Sequence, residues 1–216
     1  MKTLFVGLLL AIGAMPVAAQ QDVGARLAGR VPPEVATLVQ QLAADAAARG
    51  LPVDPLVQKA IEGGAKGIPA DRVASAVRGV AAQLTAAAAA LRQGGLTPPD
   101  TDAIAAGAFA LNAGLSGAQI AQLVRPGASA PGAAVTLRVA GTLTALGVPA
   151  TETVALVSGT IEAGESPAEL LTLPARVQAA LAHGATPAQA AAGLARAAAA
   201  RANAPGQNRP KNPHHP

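Results

Sequence analysis

The densest group of charged side chains in this chain lies between Lys59 and Arg72. Lys59, Glu62 and Lys66 follow at intervals of three and four residues, which places all three on one face of a helix. Arg72 comes at the predicted start of the next helix, where unpaired backbone N–H groups can meet an anion. Two interpretations follow: a small anion or carboxylate patch formed by Lys59, Glu62, Lys66 and Arg72, or an exposed stripe of ion pairs. We favour the stripe, because such charge spacing usually stabilises a solvated helix face and does nothing further.

Catalysis by this cluster would require Glu62 or a lysine with a pKa moved toward neutrality, and the sequence gives no sign of one. The chain has no cysteine, no Gly-x-Ser-x-Gly turn around a serine and no phosphate-binding Gly-x-x-x-x-Gly-Lys followed by Ser or Thr. His183 directly precedes Gly184 and fits a helix end better than a metal site; His214 and His215 lie in a polar tail. We therefore expect no catalytic residues, no metal, no cofactor and no enzyme activity.

Aromatic side chains are nearly absent: the chain has no Trp, no Tyr and two Phe, of which Phe109 is the one beyond the N-terminal leader. Nucleic-acid strands and sugars are commonly held by stacking on such rings. The net charge of +4 comes from scattered basic residues, so it does not indicate nucleic-acid binding either. We expect no nucleic-acid partner, and a core of Ala, Leu, Val and Ile with Phe109 inside it.

A recurrent turn divides the chain into short helices. A glycine is followed by one residue, usually apolar, and then by Pro, Ser or Thr, which is the combination that ends one helix and begins the next. The turns centre on Gly50, Gly67, Gly114 and Gly184, with looser copies at Gly95, Gly147 and Gly164. They predict an all-α, Ala-rich array or bundle of about eight to nine short helices, near 33–49, 53–66, 70–93, 99–113, 117–125, 133–146, 150–163, 167–183 and 187–202.

Two glycines interrupt one of these predicted helices. Gly63 and Gly64 each cost roughly 1 kcal/mol relative to alanine in a helix interior. A cost of that size at consecutive positions indicates that another backbone approaches closely there.

The N-terminus reads as an export signal. Lys2, an apolar stretch to Met15, Pro16 and small residues up to Ala19 predict a secretory leader over 1–19, cut between Ala19 and Gln20. The mature chain then comprises a helical domain over 20–203 and a disordered tail over 204–216. The Pro- and Gly-rich segment 126–132 is either a sub-domain boundary or a loop, and we favour the loop. Residues 103–124 carry no charge, but Gly114 and several polar residues interrupt them, so we expect a buried hairpin and no stable membrane span after leader removal.

These features predict a periplasmic or secreted protein. The leading hypothesis is a non-enzymatic helical protein with a structural or macromolecule-binding role, with a protein partner as the first candidate. The alternative is a carrier that holds an apolar small molecule in a cavity among the helices. The third is an enzyme that uses Glu62, Lys59 or Lys66 as acid or base.

Overall fold

The computed structural model describes residues 17–125 and 132–203, and within them the chain is helical, without strands. This confirms the all-α prediction. In order, the helices are α1 (Val17–Leu27), α2 (Pro33–Ala48), α3 (Asp54–Ala65), α4 (Ala70–Gln93), α5 (Thr101–Ala113), α6 (Gly117–Leu123), α7 (Ala133–Ala145), α8 (Ala150–Glu162), α9 (Pro167–Ala182) and α10 (Pro187–Ala202). The nine helices from α2 onward correspond to the nine predicted from sequence, whereas α1 was not predicted.

The glycine turns are confirmed as helix ends. All seven predicted glycines have positive φ, between 62° and 113°. At Gly114 the N–H of that glycine donates to the carbonyl of Leu111, and the N–H of Leu115 reaches back to Ala110, both at 3.0 Å. These paired bonds satisfy carbonyls that the end of a helix otherwise leaves open, which is why a left-handed residue recurs there. An eighth such glycine, Gly29, ends α1.

The starts of the helices follow the predicted capping chemistry. The N–H of Gln119 donates to the Ser116 hydroxyl at 3.3 Å, while the N–H of Ser116 donates to the side-chain oxygen of Gln119 at 2.8 Å. Thr186 begins α10 with the same reciprocal arrangement. Pro69 and Pro149 occupy the extended residue directly before α4 and α8, so these helices begin at residues 70 and 150 as predicted; the fixed φ of proline suits this position.

Small aliphatic side chains fill the interior, as predicted. The buried cluster draws on every helix except α10 for Leu, Val or Ile, and α10 contributes Ala190 and Ala191. The prediction for Phe109 is wrong, since this side chain is 42% exposed. Its ring lies over Gly141 of α7, where an added Cβ would come within 2.6 Å of ring carbons. Because Gly141 has no side chain, α5 can pack closely on α7 and the ring can lie across α7 while remaining partly exposed.

The close backbone approach predicted at Gly63 and Gly64 is confirmed at Gly64, whereas the neighbour of Gly63 is a side chain. A Cβ on Gly64 would lie 2.1 Å from the carbonyl oxygen of Arg30, in the connection between α1 and α2. A Cβ on Gly63 would lie 2.6 Å from a methyl group of Val73 in α4. The two glycines therefore let α3 pack simultaneously against the α1–α2 connection and against α4.

The uncharged stretch 103–124 is divided between α5 and α6 by the turn at Gly114. One described helix, α4, is long and apolar enough to cross a bilayer by length and composition, and a third of its most apolar window is buried against other helices. Residues 1–16, 126–131 and 204–216 lie outside the described residues, and the predictions of a leader, a loop and a disordered tail fall wholly or mainly on them. The predicted leader cleavage junction, Ala19–Gln20, falls in the first turn of α1, and cleavage there stays a prediction.

Candidate functional site

The structure joins three of the four residues of the predicted anion patch. The ammonium group of Lys59 lies 2.9 Å from one carboxylate oxygen of Glu62, and that of Lys66 lies 2.5 Å from the other. All three side chains are substantially exposed on one face of α3 and its C-terminal cap. Arg72 lies in the first turn of α4, also exposed, and forms no ion pair with a carboxylate in the described part of the chain.

Hydrogen bonds from Lys66 and Lys59, together with their positive charges, lower the pKa of Glu62 from 4.5 to about 2. Glu62 is therefore ionised at neutral pH, and it cannot supply a proton there as a general acid. An incoming anion would have to compete with Glu62 for both ammonium groups. The geometry favours the ion-pair interpretation, and anion binding at this patch stays a prediction.

His183 is the C-cap of α9, where its backbone N–H donates to the carbonyls of Ala179 and Ala180. This is the helix-end role predicted for it. Among the residues with described positions, no three His, Asp or Glu side chains come close enough together to hold a metal ion.

A cleft elsewhere in the fold is the better candidate for a functional site. It has a volume of about 630 Å³ and lies along the C-terminal half of α2. We call it the α2 cleft and define it by its lining. Four parts of the chain form it: α1 with Asp22, Val23 and Arg26; α2 with Gln40, Ala43, Ala44, Ala47 and Ala48; the α2–α3 connection and the start of α3, residues 51–55; and the start of α5 with Thr101, Asp102 and Ala105.

The wall and floor of the α2 cleft are mostly apolar. Val23, Ala43 and Leu51 are buried beneath it. Ala47 and Ala48 are exposed toward solvent on the same stretch of α2. Alanine side chains on this part of the helix leave the space open, because each fills far less volume than the leucines of the core.

Charged groups stand around this apolar surface. The guanidinium of Arg26 lies 2.6 Å from a carboxylate oxygen of Asp54 and joins α1 to the first residue of α3. Asp102 lies in the first turn of α5 and Asp22 in α1, both exposed. The carboxylates at the starts of α3 and α5 are favoured by the helix dipole. The cleft is therefore apolar inside and has three carboxylates and one guanidinium around it.

Sequence reasoning did not find the α2 cleft. No predicted helix covers residues 20–32, so the sequence assigns Asp22 and Arg26 no position in the fold. One local signal was present: Val23 and Leu27 are four residues apart, which is the spacing of an apolar helix face, and both are buried. The sequence could not show that α1 and α5 line the same cleft, because no local pattern relates Asp22 to Asp102.

Comparisons with known proteins give no family: no protein-family model, no curated protein and no solved structure matches this chain. The function has to be argued from the site itself.

Proposed function

We propose that this protein is an exported, non-enzymatic binding protein that holds a small molecule with an apolar body in the α2 cleft. One observation carries the proposal, namely an open cleft of about 630 Å³ with a mostly apolar lining. Pockets of roughly 300–1,000 Å³ with apolar walls and a few polar groups are typical of small-molecule sites. The predicted leader supports a periplasmic or secreted location, where such a protein would meet its ligand.

The lining suits binding better than catalysis. Its ionisable groups are exposed carboxylates and one guanidinium already paired with Asp54. Catalytic acids and bases usually need burial or a close like charge to bring their pKa near neutrality. The proposal therefore rests on shape and apolar contact, with the charged rim orienting the ligand.

Binding of the neutral fluorescent dye Nile red to the leader-free protein tests the proposal. Nile red becomes brighter in an apolar environment, so the intact cleft should give saturable enhancement. Ala47→Trp should abolish it, because Ala47 is an exposed cleft residue and an indole there occupies the space. Ala76→Trp is the matched control: Ala76 is an exposed alanine on α4 outside the cleft lining, and this variant should bind as the parent does.

The chain has no tryptophan of its own, so either introduced indole reports its own surroundings. Circular dichroism of both variants checks that the helices remain. Absence of saturable binding to the parent protein, or equal binding by the Ala47→Trp variant, would overturn the proposal. Native mass spectrometry of the exported form adds a second readout, in which a co-purifying apolar mass is expected and should be absent from the Ala47→Trp protein.

Macromolecule binding, the leading hypothesis from sequence, is the second candidate. Its support is the exposure of three large apolar side chains, those of Ile68, Phe109 and Leu171. Capture of a partner by the parent protein but not by a Phe109→Ser, Leu171→Ser variant would favour it. Failure to capture any partner from a periplasmic extract would count against it.

A further inference from the structure

The charge around the α2 cleft has the opposite sign to that of the whole chain. The full sequence carries a net charge of +4. The cleft lining contains three carboxylates, those of Asp22, Asp54 and Asp102, and one cation, Arg26. A ligand entering the cleft therefore meets local negative charge that the rest of the protein does not share.

That single cation is already engaged. Arg26 donates to Asp54 at 2.6 Å, and an anionic ligand would have to displace this carboxylate to reach it. The Asp54 side chain remains 75% exposed, so its other oxygen sites can accept a further donor. Asp22 and Asp102 pair with no Lys or Arg within the described ranges. The rim can accept hydrogen bonds from a cation without losing an existing ion pair.

The carboxylates line the opening and do not converge on a point, since no group of three acidic or histidine side chains within residues 17–125 and 132–203 is arranged to hold a metal ion. An organic cation, which carries its charge on a larger group, fits this arrangement better. The described residues of the lining include no aromatic ring, and such rings are what usually hold quaternary ammonium groups. A primary ammonium group has three N–H donors and can be satisfied by carboxylates alone.

We propose that the α2 cleft binds an amphiphilic amine, that is, a primary ammonium group attached to an apolar chain or ring. The apolar part lies against Val23, Ala43 and Leu51, and the ammonium group lies at the rim, where Asp22, Asp54 and Asp102 make the local charge negative. This inference rests on the proposed function, because it assigns the chemical class of ligand to the same cleft.

Displacement of Nile red by compounds with the same eight-carbon chain and different head groups tests the assignment. The probes are n-octylammonium, n-octanol, n-octanoate and n-octyltrimethylammonium, each used below its aggregation concentration in low salt. We expect n-octylammonium to displace the dye at a concentration about two- to fivefold lower than n-octanol, the gain expected from one exposed ion pair. The quaternary ammonium should fall between these two, and n-octanoate should be weakest.

Variants of the rim separate charge from apolar contact. Asp102→Asn and Asp22→Asn should each reduce the advantage of n-octylammonium over n-octanol by about two- to fivefold while leaving n-octanol unchanged. Asp71→Asn is the matched control, because Asp71 is the second residue of α4 as Asp102 is of α5, and it lies outside the cleft. This control measures any effect that comes from removing a negative charge from the first turn of a helix, independently of the cleft.

The outcomes distinguish the two proposals. If Nile red binds but n-octylammonium is no better than n-octanol, or n-octanoate is best, the amine assignment is wrong and the cleft remains a binding site for another ligand. An equal effect of Asp71→Asn and Asp102→Asn would also overturn the assignment. If Nile red does not bind the parent protein, the proposed function itself has failed.

Discussion

Gly64 offers the sharpest test of how the helices pack, because the expected effect of adding one methyl group can be worked out. The Cβ of Gly64→Ala would lie 2.1 Å from the carbonyl oxygen of Arg30, whereas carbon–oxygen contacts are normally about 3.3 Å or longer. One of the two backbones must therefore move by about 1 Å. Overpacking of this kind costs about 1–3 kcal/mol, and the better helix propensity of alanine returns up to about 1 kcal/mol. We expect a net loss near 1–2 kcal/mol.

A matched substitution gives the opposite sign. Gly79 also lies inside a helix, in α4, but a Cβ added there meets no heavy atom within 4 Å in the described structure. Gly79→Ala should therefore raise the free energy of unfolding by about 0.5–1 kcal/mol through helix propensity alone.

Thermal and urea unfolding of the leader-free protein measure both variants. For a domain of this size each kcal/mol corresponds to about 2–4 °C in Tm, so Gly64→Ala should lower Tm and Gly79→Ala should raise it. Equal stabilisation by the two alanines would refute the packing argument, since it would mean that the Arg30 carbonyl does not restrict position 64. Loss of stability at position 79 would instead refute the propensity argument.

Three further predictions follow from single residues. The Glu62 carboxyl should titrate near pH 2 in an NMR experiment. Its ion pairs with Lys59 and Lys66 should stabilise the fold above pH 4.5, and this stabilisation should be lost as the pH falls toward 2. Titration of Glu62 near pH 4.5 would contradict the ion pairs. Phe109→Ala should lower the free energy of unfolding by about 1–2 kcal/mol, because the side chain is 42% exposed; removal of a buried ring costs about 3–5 kcal/mol. A loss above about 3 kcal/mol in urea unfolding would show that the ring is buried in the core. The intact mass of the exported protein should correspond to a chain that begins at Gln20, and retention of residues 1–19 would contradict the leader prediction.

The helix boundaries could be predicted from sequence because the signals that set them are local. A left-handed glycine, the residue after it and the next cap lie within a few positions of one another, as at Gly114 and Ser116. The turn at Gly29 does not fit the sequence pattern, because Val31 stands where the pattern has Pro, Ser or Thr and Pro32 comes one position later. The close backbone contact at Gly64 could also be predicted, since an unfavourable residue in a helix implies a compensating contact.

The position of Phe109 and the α2 cleft were beyond the reach of local patterns. Phe109 has the residue type of a core side chain, and its exposure depends on how closely α7 approaches through Gly141. The Arg26–Asp54 pair joins residues separated by 28 positions. Which charges meet across such a distance depends on how helices pack, and an Ala-rich sequence leaves few side-chain shapes from which packing can be inferred.

Because α1 contributes to the cleft, the proposed ligand binding should be sensitive to trimming of the N-terminus. Asp22 and Val23 form part of the wall, and the predicted cut leaves only two glutamines ahead of them. An N-terminal glutamine can cyclise to pyroglutamate, which removes the terminal positive charge and blocks most aminopeptidases. A mature protein with pyroglutamate at its N-terminus retains Asp22 and Val23 in the lining of the α2 cleft. A protein shortened by a few more residues retains α2–α10 but loses the part of the lining that α1 supplies.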